Sequence, residues 1–245
     1  MKVLIIGASS AVAKTMAIQL AQQGAEIFCL ARNESKVTEL QQQLGESYKG
    51  GYFFDFCQHS QAPLAINACL ESLGHIDLAI FAHGLLIDQQ LSEFDMALTQ
   101  QCFDSNLFSV LALLMPLKQQ MLIQNKGKIA VITSVAGDRG RPRNFTYGAA
   151  KGALSVYLQG LRSVLWRSGV EVYDFKMGPV DSPMTVDHEK NFSFSSCEQV
   201  SARMLKLLKT RQYHAYVPGY WRWVMLAVRC MPEAMFQRLG FLSDR

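Results

Sequence analysis

The sequence has little of what metal sites and nucleic-acid interfaces require. Its six cysteines, at positions 29, 57, 69, 102, 197 and 230, form no CxxC pair, and its five histidines join no cluster at ligand spacing. The net charge of +4 is small for 245 residues, and the basic residues are dispersed. We therefore expect no metal site and no nucleic-acid partner. Because most cysteines lie in apolar segments, we expect a reducing, cytoplasmic environment.

The sequence also lacks internal repeats and any long linker rich in glycine, proline or serine. The first apolar run begins at Val3, which leaves no room for a secretion signal of the usual design. We predict a single domain, residues 1–245, with an aromatic and basic C-terminal extension from about residue 213.

Apolar runs of strand length recur along the chain, with helical patterns between most of them. They cover residues 3–6, 26–31, 51–54, 76–82, 128–133, 170–176 and 215–217. Because these runs are continuously apolar, they indicate strands that are buried on both faces. The sequence predicts an α/β fold of the doubly wound Rossmann type: a seven-stranded, mostly parallel sheet with helices on both faces and extra C-terminal helices. The polar segment 185–196 fits either a mobile lid or a plain surface loop.

The first strand leads into a turn with one glycine where a dinucleotide-binding turn usually has three. In the stretch VLIIGASSAVAK, Gly7 fills the first place, and Ala11 and Ala13 stand at the second and third. Ser9 and Ser10 add hydroxyl donors beside a helix N-terminus, whose free N–H groups favour an anion. These residues alone fit a dinucleotide site and a plain packed turn about equally.

The second strand ends in CLARNESK, so Arg32 stands where such folds meet the adenosine ribose. An acid at this position binds a free 2′-hydroxyl, whereas an arginine pairs with a 2′-phosphate. Arg32 therefore favours NADP(H) over NAD(H), and the other interpretation is a solvated surface arginine.

The stretch VITSVAGDRGRPRNFTYGAAKGAL contains residues suited to proton transfer. Ser134 follows a predicted strand, Tyr147 comes later in the stretch, and Lys151 stands at i+4 from Tyr147. Residues at i and i+4 share a helix face, so the tyrosine and lysine should point into the same space. A nearby cation is expected to lower the pKa of the phenol toward neutrality, as a general acid or base requires. Such a pair also occurs by chance, so alone it carries little weight.

The pair does not stand alone. With Ser134, with Asn106 in DSNLFSVLALL, with the Gly7 turn and with MGPVDSPM after the sixth strand, it follows the order of motifs in the short-chain dehydrogenase/reductase family. The chain resembles the short form of that family over essentially its whole length. The resemblance implies that Tyr147 protonates the carbonyl oxygen during reduction and that Lys151 holds the nicotinamide ribose. It further implies that Ser134 hydrogen-bonds the same oxygen and that Asn106 organises a water that links the lysine to solvent.

The resemblance also implies a set of cofactor contacts. Asp55 is expected to contact the adenine, and Gly178, Val180 and Ser182 match the stretch that fixes the carboxamide. The implied cofactor-binding residues are Gly7, Ser9, Ser10, Val12, Arg32, Asp55, Phe56, Ala82, Gly84, Tyr147, Lys151, Gly178, Val180 and Ser182.

The chain departs from the family pattern in three places. The family's Asn-Asn-Ala-Gly after the fourth strand reads Phe81-Ala82-His83-Gly84, its Pro-Gly reads Met177-Gly178, and two turn glycines are alanines. These changes concern the geometry and affinity of the cofactor site. None removes a proton-transfer group.

Three arginines, Arg139, Arg141 and Arg143, lie between the serine and the tyrosine, in a loop expected beside the substrate carbonyl. Their guanidinium groups fit a role in holding a phosphate or carboxylate. The other interpretation is that they are solvated or paired with Asp138.

The C-terminal stretch YVPGYWRWVMLAVRCMPEAMFQRLGF combines aromatic residues with an apolar run that Arg222 and Arg229 interrupt. It is too short to span a bilayer but is suited to peripheral contact with a membrane. A helix pair that packs on its own domain or on a partner subunit fits equally well. Together with AHGLLIDQQ and SVAGDRGR, these features resemble the subgroup that includes the decaprenylphosphoryl ketopentose 2-reductases, which reduce a keto sugar carried on a polyprenyl phosphate.

The sequence thus predicts an NADP(H)-dependent oxidoreductase that transfers hydride between nicotinamide and a ketone or secondary alcohol, with a phosphorylated or lipid-linked keto sugar as candidate substrate. The alternative is a catalytically idle NADP(H)-binding module that acts as a sensor or scaffold, which the missing glycines and Ala82 motivate. Helices near residues 98–114 and 147–168 have more apolar surface than one face needs, which predicts a homodimer or homotetramer.

Overall fold

The computed structural model describes residues 1–185 and 193–238. These residues form a seven-stranded sheet in the order β3-β2-β1-β4-β5-β6-β7, and every neighbouring pair is parallel. The strands are β1 Lys2–Ile6, β2 Glu26–Ala31, β3 Tyr48–Phe53, β4 Leu78–Phe81, β5 Gly127–Ser134, β6 Val170–Met177 and β7 His214–Val217. The predicted doubly wound Rossmann fold is confirmed, and the sheet is wholly rather than mostly parallel.

The helices cover both faces of this sheet. They are α1 Ala11–Ala21, α2 Thr38–Leu44, α3 Ala62–Leu73, α4 Gln89–Ser92, α5 Met96–Phe103, α6 Ser109–Gln124, α7 Phe145–Leu165, α8 Cys197–Lys209, α9 Trp221–Cys230 and α10 Glu233–Phe236. Alternate residues of a strand face opposite sides. Accordingly Val3 and Ile5 pack with α1 and α8, whereas Leu4 and Ile6 pack with α3, α6 and α7. All four are fully buried, which explains why the strands are continuously apolar.

Most strand bounds lie within two residues of their predicted positions. The exception is β3, which is expected at 51–54 but begins three residues earlier. The pattern misses Tyr48, Lys49 and Gly50 because they do not form a continuously apolar run. Among the strands that the structure describes, β3 is an edge strand paired with β2 alone, so it needs less apolar character than the central strands.

A π-helical turn, Asp104–Phe108, joins α5 to α6. The resulting helical segment Met96–Gln124 is long and apolar enough to cross a membrane by length and composition. However, Leu113, Leu117 and Met121 are buried against the sheet, which identifies it as a core helix. A π-helical turn within an α-helix often marks a functional site, and this turn contains Asn106.

The C-terminal helices predicted from the sequence are α9 and α10, which pack on the turn after β5 through Val135. Of the segment interpreted as a lid or loop, residues 186–192 lie outside the described residues, as do residues 239–245 of the C-terminal extension. Val180 forms an isolated parallel bridge with Ser195.

Candidate active site

A cleft of about 480 Å³ lies at the carboxyl ends of β1, β4 and β5. From β1 the chain builds the sheet outward through β2 and β3, and it then crosses to β4 on the other side of β1. The direction of winding therefore reverses at β1. Ligands of open parallel α/β sheets bind at such a switch point. The cleft brings together most of the predicted site residues, namely Gly7, Ser9, Ser10, Val12, Arg32, Asp55, Phe56, Ala82, Gly84, Tyr147, Lys151, Val180 and Ser182.

The single glycine of the first turn is required by its backbone and by its neighbour. Gly7 has φ of +83°, and a Cβ placed on it would lie 2.7 Å from the backbone nitrogen of His83. The turn leads into α1, whose N-cap residue Ser10 makes no side-chain hydrogen bond to the helix. The amides of the first helical turn are therefore left uncapped by Ser10, as a site for a cofactor phosphate requires.

The two alanines of the turn are compatible with this geometry. Ala13 is fully buried in the core between the sheet and α1, so its methyl group adds to packing in the place where a third glycine would stand. Ala11 is partly exposed and lines the cleft. The residues present thus fit a dinucleotide, although the turn has a single glycine.

Arg32 and Asp55 mark the far end of the cleft, just beyond β2 and β3. The Arg32 side chain is exposed. The Asp55 carboxylate accepts a hydrogen bond from the backbone N–H of Cys57 at 3.0 Å, which fixes the turn that contains Phe56. Both side chains thus line the cleft, as predicted for residues that contact the adenosine part of a dinucleotide.

His83, which stands where the family pattern has an alanine, is an unpredicted part of the cleft wall. Its ring lies 4.6 Å from that of Phe56 between centroids, and its Nε2 is 2.9 Å from the hydroxyl of Ser109 on α6. Burial, together with the nearby charges of Lys151 and Arg32, lowers the pKa of His83 to about 3, so the imidazole is neutral at physiological pH. Its place two residues after β4 can be read from the sequence, but its partners lie on other elements.

Tyr147 and Lys151 occupy the first two turns of α7 and share one face, as predicted. The Lys151 ammonium lies 5.8 Å from the centroid of the Tyr147 ring and donates to the carbonyl oxygen of Ile132 at 3.3 Å. Ser134 ends β5 and hydrogen-bonds the phenol, although it is outside the lining of the cleft. The strand end and the helix start therefore place the hydroxyl, the phenol and the ammonium together.

The pKa of Tyr147 differs from the sequence prediction. Burial raises it to about 12, and the hydrogen bond from Ser134 only partly opposes that effect. The expectation that Lys151 would bring it toward neutrality is wrong for this geometry, because desolvation of the phenolate dominates. Burial also lowers the pKa of Lys151 to about 8. At neutral pH the tyrosine is thus a protonated acid next to a mostly charged lysine.

Asn106 lies beneath the cleft, fully buried in the π-helical turn. Its Nδ2 donates to the carbonyl oxygens of Leu85 and Cys102 at 2.7 and 2.8 Å, and its Oδ1 accepts from the N–H of Leu85 at 3.1 Å. A Cβ on Gly84 would lie 2.9 Å from Oδ1 and 3.4 Å from the Lys151 nitrogen. Asn106 therefore fixes the loop after β4 against Lys151, and one lone pair of Oδ1 remains for the predicted water.

Gly178 does not line the cleft, unlike the other residues predicted to fix the carboxamide. Its N–H donates to the carbonyl oxygen of Val217 at 3.0 Å, and a Cβ on it would lie 2.1 Å from the indole nitrogen of Trp221. The glycine thus permits close packing of α9 against the loop after β6. Its neighbours Val180 and Ser182 do face the cleft.

Arg139, the first of the three arginines in the predicted anion cluster, is engaged by the C-terminal helices. Arg139 donates to the carbonyl oxygens of Val228 and Met231, pairs with Glu233 at 2.7 Å and lies 4.0 Å from the ring centroid of Phe236. It therefore caps the end of α9 and is not available to a substrate.

Asp138 is the acid that the alternative interpretation pairs with the arginines. Its carboxylate forms an ion pair with Lys176 and accepts a hydrogen bond from the Tyr216 hydroxyl at 2.7 Å. Of the three arginines, Arg141 has a buried Nε that makes no hydrogen bond to any described residue.

Comparison with known proteins agrees with this geometry. Residues 1–192 match the sequence profile of the short chain dehydrogenase family. An uncharacterised oxidoreductase of Staphylococcus epidermidis is 31% identical over 182 residues, which cover 74% of this chain and 79% of that protein.

Two solved structures have the same fold. A variant of actinorhodin polyketide ketoreductase with NADPH is 20% identical with a TM-score of 0.80, covering 89% of this chain and 96% of that one. Gluconate 5-dehydrogenase from Burkholderia cenocepacia, in complex with NADP and tartrate, is 22% identical with a TM-score of 0.81, covering 89% and 94%. The sequence match over most of its length identifies the chain as a member of the short-chain dehydrogenase family.

Proposed function

We propose that the protein is an NADPH-dependent reductase of a ketone, with Tyr147 as proton donor. The observation that carries this proposal is that Tyr147 and Lys151 line one cleft with Ser134 beside the tyrosine, where the phenol is protonated and the lysine is mostly charged at neutral pH. The family is one of oxidoreductases, which agrees with this chemistry.

The residues of the chain act on the carbonyl oxygen of the substrate. Bound NADPH supplies the hydride to the carbonyl carbon. Ser134 and Tyr147 both hydrogen-bond the oxygen, and Tyr147 transfers its proton as negative charge develops there. Lys151 stabilises the resulting phenolate electrostatically and then gives a proton back to it, and a proton from solvent, passed through water beside Asn106, restores the charged lysine. Asn106 is a positioning residue, because its amide holds the backbone at residue 85.

The preference for NADP(H) is proposed from Arg32. Its exposed guanidinium lies at the end of the cleft where a 2′-phosphate would be placed. The two solved structures of similar fold contain NADPH and NADP, which agrees with this preference.

The proposed substrate is a bulky ketone that bears an anionic group, with a phosphorylated or lipid-linked keto sugar as the class to test first. Arg141 supports an anionic group, because its side chain is half-buried and its buried Nε lacks a hydrogen-bond partner among the described residues. The resemblance to decaprenylphosphoryl ketopentose 2-reductases points to the same class.

A catalytically idle NADP(H)-binding module is the less favoured alternative. The proton-transfer residues are present and in contact, and the turn with one glycine keeps the geometry that a dinucleotide needs. We also propose a cytoplasmic homodimer or homotetramer. Exposed apolar residues on α6 and α7 support an oligomer, for example Met115, Val156 and Val164, which are 59%, 67% and 70% exposed.

The test has two stages with separate readouts. Calorimetric titration of the purified protein should give tighter binding of NADPH than of NADH. Arg32→Ala should weaken NADPH binding about 10- to 100-fold, as expected for loss of a charge-assisted hydrogen bond, and should leave NADH binding nearly unchanged. NADPH oxidation is then followed with phosphorylated, lipid-linked and neutral ketones. Binding without turnover of any ketone would favour the idle module, and equal binding of both nucleotides would contradict the role of Arg32.

A further inference from the structure

Helix α9 has two apolar stripes, and within residues 1–185 and 193–238 only one of them is covered. The inner stripe packs on Val135 and consists of Trp221, Met225 and Val228. The outer stripe is exposed and consists of Trp223, Leu226, Ala227 and Cys230, at spacing i, i+3, i+4 and i+7. Trp223 is 65% exposed and Leu226 is 51% exposed. The solvent face of a surface helix is normally polar, so an apolar stripe at helical spacing indicates a surface that is covered in use.

Arginines border the outer stripe and determine which partner fits it. Arg222 and Arg229 are exposed on one flank, and Arg238 is exposed after α10. The Arg222 guanidinium lies 5.3 Å from the ring centroid of Trp223, which keeps its charge next to the apolar surface. The one acid of α9 and α10, Glu233, is paired with Arg139 at 2.7 Å. The outer stripe is therefore an apolar surface with a net positive border.

We propose that the outer stripe docks the protein on an anionic lipid bilayer. Tryptophan and leucine on one face, with arginine beside them, are the composition of helices that lie in the bilayer interface. Anionic headgroups attract arginines near the membrane surface. A second copy of the chain fits less well, because neither α9 nor α10 offers an unpaired acid to face the arginines.

The docked helix is attached directly to the candidate active site. Trp221 packs on Gly178 at the loop after β6, and Arg139 joins the end of α9 to the loop that follows Ser134. A bilayer in contact with the outer stripe would therefore lie beside the cleft, within reach of a substrate with a lipid tail. The docking itself does not depend on the proposed reaction, because vesicle binding needs neither cofactor nor substrate.

The experiment is flotation of the full chain with vesicles of phosphatidylcholine alone or of phosphatidylcholine with phosphatidylglycerol. We expect the protein to float with the anionic vesicles and to be released at high salt. The double variant Trp223→Ser with Leu226→Ser should lose at least tenfold in binding, and Arg222→Gln about fivefold, corresponding to one arginine near the surface. Phe94→Ser is the matched control, because Phe94 is 92% exposed and lies outside α9.

A second readout identifies the surface that makes contact. In a Trp166→Phe background, the remaining Trp221 and Trp223 report on α9, and their emission should shift to the blue with anionic vesicles. Absence of flotation with anionic vesicles, or equal losses in the double variant and in Phe94→Ser, would overturn the proposal. A second copy would be the partner if the wild type did not float and light scattering showed that the double variant breaks an oligomer. That result would also overturn the proposal, because the outer stripe would then be buried between two copies of the chain. The double variant should keep NADPH affinity, so a failure of docking is separable from a failure of the proposed function.

Discussion

The two ends of the cleft are built differently. At the proton-transfer end, Ser134, Tyr147, Lys151 and Asn106 match the family pattern and are fixed by hydrogen bonds to one another or to backbone. At the nucleotide end, the first turn has one glycine instead of three, Ala82 replaces an asparagine, and His83 replaces an alanine. There the geometry depends on close packing, with Gly7 against His83 and His83 against Phe56.

This difference shows which constraints are chemical and which are geometric. Proton transfer needs particular functional groups, so their identities are fixed. Holding a phosphate and an adenosine needs backbone amides and a surface of the right shape, which different side chains can provide. Substitutions at the two ends should therefore fail in different ways, by loss of turnover at one end and by loss of stability or affinity at the other.

The largest expected effect is at the proton-transfer end. Tyr147→Phe removes the proton donor without changing the packing of the ring, so reduction of an identified ketone should fall about 10³-fold. Calorimetric NADPH affinity should stay within about twofold of wild type. Turnover within a few-fold of wild type would mean that another group supplies the proton.

Gly7→Ala tests the packing at the nucleotide end. The variant places a Cβ 2.7 Å from the backbone nitrogen of His83 at a φ of +83°, so the free energy of unfolding should fall by about 2–4 kcal/mol and NADPH affinity should drop. Chemical denaturation and titration measure the two effects. The control is Gly160→Ala, because an added Cβ there meets nothing within 4 Å, and it should be neutral or slightly stabilising. Similar stability losses in both variants would contradict the comparison.

Arg139→Met tests how far the C-terminal helices support the proton-transfer end. The variant loses hydrogen bonds from a charged group to the carbonyl oxygens of Val228 and Met231, so unfolding in urea should show a loss of about 2 kcal/mol. Glu233→Gln, which removes only the exposed partner of the salt bridge, should lose less than about 1 kcal/mol. Equal losses would mean that the ion pair, rather than the cap on α9, is the important contact.

The smallest expected effect is on the pH dependence. Because the pKa of buried Lys151 is about 8, the lysine loses its proton above that pH and can no longer stabilise the phenolate. The ratio kcat/KM for reduction should therefore be constant below pH 8 and fall up to tenfold for each further unit. The pKa of Tyr147 is about 12, so the tyrosine keeps its proton over this range. A profile that stays flat up to pH 10 would contradict this assignment.

Much of the fold and part of the site could be predicted from the sequence. The strands were found because parallel strands covered on both faces must be apolar throughout, as the full burial of Leu4 and Ile5 confirms. The prediction for the edge strand β3 begins too late because its first residues, which are partly or fully exposed, lack that pattern. Tyr147 and Lys151 were paired correctly because helical spacing is a local property.

The sequence by itself determined the order of strands and helices, the functional groups for proton transfer and their shared helix face, because these depend on local periodicity and residue chemistry. The tertiary structure alone decided the partners of His83, Arg139 and Gly178, which lie on distant elements. It also decided the pKa of Tyr147, because burial of the phenol outweighs its hydrogen bond from Ser134. Burial and long-range contacts arise only when separate elements meet, and no short stretch of sequence records which ones will do so.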